Sequence, residues 1–239
     1  MDLRDELIAR VVTGRSFADV GGLWGTVNEK VTVAARQGAA ALAMIDVAPP
    51  DHELWRLFLD RVTSSGAPSC ECVSADICAR ADGPQYDVVH CSGVLYHHPS
   101  PLVLLEALRR ITLRHLILTS TVIHESIANE LGTLHVPSSG VVFVPALDGR
   151  ERAILRKHWL DITGSVPCYG ISEPAQWDPH NFDPWWWLMT PQVMLAMAAS
   201  VGFRVLDSGP IWSGNAYTAL LESDSRYQRA ANTPTPMRE

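Results

Sequence analysis

Short apolar runs alternate along this chain with stretches of helical period, and most runs end at an acid or a glycine-rich break. Residues 2–12 place Leu3, Leu7, Ile8 and Val11 on one helical face. The run at 16–20 predicts a strand that stops inside "FADVGGLWG" (17–25). Thr26 and Glu29 have capping-box spacing, so a helix is expected from just after Gly25 to about Gln37, closed by Gly38. "AALAMID" (40–46) predicts a buried strand, 52–64 a helix, and "CECVSAD" (70–76) another strand that reaches an acid. "YDVVHCSG" (86–93) predicts the next strand. Ser100 and Pro101 then open a helix to Arg110 as N-cap and first helical residue, and "HLILTST" (115–121) follows as a strand. Thr190-Pro191 opens a further helix that Gly202 closes, and "FRVLD" and "AYTALLE" predict two final strands.

Strands separated by helices predict an α/β fold, a Rossmann-like doubly wound sheet of seven strands, mostly parallel. The last two strands are too close in sequence for a crossover helix, so one must run antiparallel. Residues 122–189 fit no βα unit. They hold an expected hairpin in "TLHVPSSGVVFVP", a charged helix over 149–160 and a Pro/Trp-rich loop ending in "DPWWWLMT". A segment of this length between strands predicts a lid or substrate element. The expected organisation is one domain over 1–224, with 122–189 as its insertion and 225–239 as a polar tail.

Composition narrows the class. Of 239 residues 47% are apolar and 19% charged, the balance of an ordinary soluble enzyme. The net charge of −7 argues against a broad electrostatic grip on nucleic acid or an anionic membrane. The densest basic groups, Arg109, Arg110 and Arg114, then Arg150, Arg152, Arg156 and Lys157, are expected on solvated helix faces. The five cysteines are Cys70, Cys72, Cys78, Cys91 and Cys168; they are odd in number and form no CxxC pair, so neither a disulfide framework nor a zinc knuckle is indicated. The N-terminal stretch lacks an apolar signal region and no apolar run approaches 18 residues, so a reduced cytoplasmic location is expected.

In open α/β sheets ligands bind beyond the carboxyl ends of the strands, which makes strand-terminal residues the ones to examine. Here they are Asp19, Gly21 and Gly22, then Asp46, Asp76, and Cys91-Ser92. A dinucleotide site needs G-x-G-x-x-G and a neutral approach for its pyrophosphate. This chain has G-G-L-W-G with an acid beside it, which disfavours a nicotinamide-dependent oxidoreductase. Asp19 suits a ligand with positive charge, Asp46 a ribose diol, and Asp76 an exocyclic adenine amine. A nucleoside that carries an amino acid and no phosphate fits all three.

With those residues in register the chain resembles a class I S-adenosylmethionine-dependent methyltransferase over nearly its whole length. "FADVGGLWG" is similar to the family's first motif, D-x-G-x-x-x-G after a hydrophobic strand. "YDVVHCSGVLYHHPSP" is similar to the fourth, in the form found among tRNA wobble-uridine carboxymethyltransferases and natural-product methyltransferases. "WLMTPQVMLAMAASVGF" resembles the family's late helix. Leu23 replaces the usual middle glycine and is expected to turn its side chain away. The resemblance implies S-adenosyl-L-methionine as cofactor, held by Asp19, Gly21 and Gly22, by Asp46 with Val47, by Asp76 with Ile77, and by Cys91 with Ser92. Cys91 reads as a small apolar residue at a strand end rather than a nucleophile.

The activity expected is transfer of a methyl group to a small molecule, at the hydroxyl of a sugar, glycoside or other natural product. Such a reaction needs alignment and, for a hydroxyl, a base. His124, just past the fifth strand, is the first candidate and His97 the second, with His98 and the neighbouring Glu125 also near strand ends. His135, His158 and His180 read as surface residues of the insertion, and no metal site is indicated. Five of the eight tryptophans, Trp159, Trp177, Trp185, Trp186 and Trp187, fall in the insertion and suit both its core and an acceptor pocket. The expected partners are the small-molecule acceptor and a second copy of the chain, with no nucleic acid and no membrane. A tRNA-modifying alkyltransferase and a non-catalytic nucleoside-binding module remain the alternatives.

Overall fold

The computed structural model describes residues 2–25, 29–80, 82–164, 170–178 and 181–224. Thr26 of the expected capping box, Cys168, His180 and the tail at 225–239 lie outside the described residues. The chain begins with α1 (Leu3–Val11), β1 (Ser16–Val20), α2 (Val31–Arg36), β2 (Ala41–Asp46), α3 (Glu53–Ser64) and β3 (Cys70–Ser74). It continues through β4 (Tyr86–Ser92), α4 (Pro101–Ile111) and β5 (Thr112–Thr121) into the insertion. There β6 (Ser126–Asn129), β7 (Gly132–His135), β8 (Val141–Phe143), α5 (Gly149–Thr163) and β9 (Trp187–Met189) follow one another. The chain then closes with α6 (Pro191–Ser200), β10 (Phe203–Ile211) and β11 (Ala216–Ser223).

Seven strands form the main sheet in the order β10-β11-β5-β4-β1-β2-β3. β1 runs parallel to β2 and β4, β2 to β3, and β4 to β5, while β11 is antiparallel to both of its neighbours. The antiparallel strand expected from the short final loop is therefore β11. Alternation along β1 divides the core between the two faces. Ala18 and Val20 join one cluster with α4 and α6, whereas Phe17 joins the other with Leu7, Ile8, Val31 and Phe58 from α1, α2 and α3. A third cluster, with Ile127, Leu134, Ile154, Leu155, Trp159 and Trp185, is the insertion's own core. Among the described residues no helix is long and apolar enough to cross a membrane.

Three expectations need correction. The helix after the glycine-rich turn starts at Val31, not directly after Gly25. Its start is set from the sheet, because the Asp19 carboxylate accepts the Lys30 backbone N–H at 2.7 Å. Glu29 caps the first turn through Thr32 N–H (2.8 Å) and its hydroxyl (3.1 Å).

The hairpin in "TLHVPSSGVVFVP" does not form. β7 instead pairs back with β6 and β8 pairs with the distant β9. Pro137 interrupts the ladder that the expected pairing needs, and Asn129 makes a tight turn on the other side by accepting the Leu131 N–H at 3.0 Å.

Finally, Arg109 and Arg152 are buried rather than solvated. The Arg109 guanidinium donates to the carbonyls of Gly202, Thr112 and Asp224, and that of Arg152 to Gly170, Ile171, Val144 and Leu147. Each guanidinium, with five N–H donors to place, is held by backbone carbonyls from separate segments.

Candidate functional site

The strand order reverses between β1 and β4, and a crevice beyond the carboxyl ends at that point is where an open α/β sheet holds its ligand. The turn after β1 is built for close approach. Gly21 has φ +75°, and a β-carbon there would run into the γ-methyl of Val94 from the loop after β4. A β-carbon on Gly22 would meet Asp19 Oδ2 at 2.6 Å. Leu23 turns its side chain into the core, 1% exposed, and leaves its backbone N–H pointing at Asp46. The departure from glycine at position 23 thus costs the turn nothing.

Asp46 ends β2 and is 3% exposed. Its Oδ2 accepts the Leu23 N–H at 3.3 Å, and its Oδ1 accepts the Ala48 N–H at 3.0 Å and the Trp24 indole N–H at 3.1 Å. Burial pushes its carboxyl above the ordinary Asp range, and these three donors oppose the rise. A carboxylate has about four lone-pair sites, so a diol that needs two can bind once Trp24 lets go. Trp24 is free to do so: its ring is 60% exposed and rests tilted on His52 at 5.4 Å. Val47 beside Asp46 is 38% exposed.

Asp76 lies two residues past β3 in an exposed loop, where Oδ1 accepts the Cys78 N–H at 2.8 Å. Ile77 leans on the core cluster of that face. Cys91 is fully buried in the same cluster and burial pushes its thiol up, as a small apolar residue requires. Ser92 is 2% exposed, and its hydroxyl accepts from Arg4 at 3.3 Å. Arg4, equally withdrawn, is paired with Asp2 and stacks over Trp212, so the start of α1 covers this end of β4.

Asp19 departs from its expected place. It is fully buried, with Oδ2 on the Lys30 N–H and Oδ1 2.8 Å from His90 Nδ1. In this structure it organises the turn from below and meets no strand-end surface directly. His90, missed by sequence reasoning, sits opposite Asp19 in the β1–β4 register. A base and an acid at matched positions of two adjacent buried strands was the available signal.

The histidines separate into two networks. His97 donates through Nδ1 to the Pro184 carbonyl at 3.1 Å, and its ring sits against Tyr96 and Trp185. It therefore fastens the loop after β4 to the insertion, and burial pushes its pKa down against that bond. His98 is taken up by the Ser100 backbone at the start of α4. His124 lies three residues past β5, where Val122 N–H bonds the Asn215 carbonyl (3.1 Å) and Ile123 N–H bonds that of Met189 (3.0 Å). Its Nε2 stands 3.2 Å from Asn215 Oδ1.

No protein-family profile and no curated protein matches the sequence. Solved structures do match the fold. A magnesium protoporphyrin IX methyltransferase from Synechocystis PCC 6803 with S-adenosylhomocysteine bound aligns at TM-score 0.55 and 16% identity, over 93% of this chain and 82% of that one. The 1,6-didemethyltoxoflavin-N1-methyltransferase of Burkholderia thailandensis, bound to 1,6-didemethyltoxoflavin and S-adenosylhomocysteine, aligns at 0.53 and 9% identity, over 94% and 80%. This is the fold of S-adenosylmethionine-dependent methyltransferases. The cyclase SpnF shares it at TM-score 0.56 and 11% identity, over 92% and 79%, so the methyltransferase fold by itself does not name a reaction.

On this methyltransferase fold the tryptophans of the insertion have divided roles. Trp159, Trp185 and Trp186 are buried. Trp185 meets Trp159 edge-on at 5.2 Å and Tyr96 at 4.8 Å, while Trp187 donates to the Pro99 carbonyl at 3.0 Å. Trp177 alone among the five is widely exposed, at 62%. Most of the aromatic surface thus holds the insertion together and onto the loop after β4.

Proposed function

We propose that this protein is an S-adenosylmethionine-dependent methyltransferase that acts on a small-molecule acceptor at a hydroxyl oxygen. One observation carries the reading: a nearly buried carboxylate, Asp46, stands at the end of β2 against the left-handed glycine turn of β1. That pairing suits a ribose diol beside a ligand that passes close over backbone. S-adenosylmethionine, when bound, supplies a methyl group activated by a sulfonium. Asp46 accepts from the ribose hydroxyls, Gly21 and Gly22 admit close approach, and Asp76 with Ile77 borders the base. His124 receives the proton of the acceptor hydroxyl, and the insertion 122–189, within a single domain over 1–224, covers the acceptor. Titration calorimetry tests the cofactor: S-adenosylhomocysteine should bind, and NAD should not compete. Tight NAD binding with none for the nucleoside would falsify the reading.

Trp24 supplies a sharper test. Since its indole occupies a lone-pair site of Asp46, Trp24→Phe should tighten S-adenosylhomocysteine binding by a few-fold, the scale of one exposed hydrogen bond of roughly 1 kcal/mol. Weakened binding would show the ring to be part of the nucleoside pocket instead.

Nucleic acid is not the proposed substrate, and the charge of −7 supports this. No retention on an RNA column at physiological salt is expected; retention that falls steeply with salt would favour the tRNA-modifying alternative. A second reading draws on the internal satisfaction of Asp19 and most of Asp46, which a non-catalytic nucleoside-binding module would also show. A mass-shift screen of hydroxylated small molecules separates the two, because such a module binds S-adenosylhomocysteine and methylates nothing.

A further inference from the structure

The proposed base is not alone. His158, on α5 of the insertion, places its Nε2 3.2 Å from Asn215 Oδ1, the same oxygen that His124 Nε2 approaches at 3.2 Å. The two rings meet edge to face, with centroids 5.9 Å apart and 80° between their planes. The other end of the amide fixes its orientation: Asn215 Nδ2 donates to the Trp212 carbonyl at 3.1 Å. The atom facing both imidazoles is therefore the oxygen, which only accepts. Both Nε2 atoms carry hydrogen, and in each neutral ring the lone pair stands on Nδ1.

The place is built for this contact. Trp212, Ser213 and Gly214 all lie in the left-handed region, with φ of 49°, 55° and 88°. For residues other than glycine such a conformation costs on the order of 1–3 kcal/mol and persists where surrounding structure holds it. Gly214 is the point of closest approach, because a β-carbon there would stand 3.1 Å from His124 Cε1. Asn215 is 5% exposed. The charged neighbours are Glu125, next to His124 in the chain, and Asp161 on α5, which pairs with Lys157; Lys157 also reaches Glu130. Burial pushes the His158 pKa down; the Asn215 bond opposes this, and the neighbouring His124 lowers it further.

We propose that Asn215 is the positioning residue of the base, holding His124 of the sheet and His158 of the insertion as a pair on one oxygen. The pairing leaves Nδ1 of His124 as its basic atom. Its use in methyl transfer rests on the reading above; its geometry does not. When His124 takes a proton, its Nε2–H bond to Oδ1 becomes charge-assisted and shorter, while the like charge opposes protonation of His158.

Imidazole Cε1–H titration by NMR on the full chain reads this without an acceptor. In Asn215→Asp the carboxylate faces both rings, so the midpoints of His124 and His158 should each rise by at least about one pH unit. In His124→Gln the midpoint of His158 should rise by a smaller amount, because a like-charge neighbour is gone. A residue that merely held the turn would move neither midpoint. If Asn215→Asp does not fold, His124→Gln decides alone, and an unmoved His158 in either variant overturns the proposal. S-adenosylhomocysteine calorimetry runs beside it: no binding to the unaltered chain would sink the methyl-transfer reading and leave the imidazole result standing.

Discussion

His124→Ala should lower kcat by about 10²–10⁴-fold, the usual contribution of a positioned general base. S-adenosylhomocysteine affinity should stay within a factor of about two, since His124 is bonded to Asn215 while Asp46 is bonded to Leu23 and Trp24 of the turn after β1. The measurement is a steady-state assay with an acceptor found in the mass-shift screen, beside calorimetry on the same variant. A near-normal kcat removes His124 from the mechanism and leaves alignment as the chain's contribution. Lost cofactor affinity would instead assign His124 a structural part, as the bonds that hold its segment to Asn215 and Met189 would then matter most. His97→Ala gives the contrast. Its Nδ1 already serves the Pro184 carbonyl, so its loss should lower thermal stability rather than act on kcat alone.

Asp46→Ala should weaken S-adenosylhomocysteine binding by about 1.5–3 kcal/mol, or roughly 10- to 150-fold, the range for hydrogen bonds to a charged group. The same carboxylate sets a pH dependence. Ribose hydroxyls donate to the ionised form, and burial raises the pKa of Asp46, so affinity should fall as pH drops through a range above the ordinary Asp value of about 3.9. It should be fully present above that range, and Asp46→Asn should abolish this acid limb. Unchanged binding in Asp46→Ala would place the ribose elsewhere and remove the observation on which the proposed function stands.

Local pattern was enough for most of the sheet. Apolar runs of five to seven residues between helices are legible because a buried parallel strand has no polar face to confuse the reading. Every strand of the main sheet lies at its expected place, and β11 runs antiparallel because a short loop permits nothing else. The insertion was less legible. Its strands are only three or four residues long, and the partner of β8 lies over forty residues away, so proximity in sequence misled the pairing. A proline that cannot enter a ladder was the clue against the expected hairpin.

The site divides in the same way. Sequence alone determined that acids and glycines would gather at successive strand ends, since strand period and turn chemistry are local properties. It also determined that Leu23 could stand in the turn, because a turn uses the backbone and leaves the side chain to the core. Tertiary structure decided how the acids are used. Asp19 is drawn inward by His90 and the start of α2, and Asp46 is capped by an indole from the same turn it supports. Tertiary structure also joined His124, His158 and Asn215, which lie past the end of β5, on α5 and just before β11. Nothing local marks that trio. An imidazole becomes a base or a strut according to which atom faces each nitrogen, and that is settled only when distant segments meet.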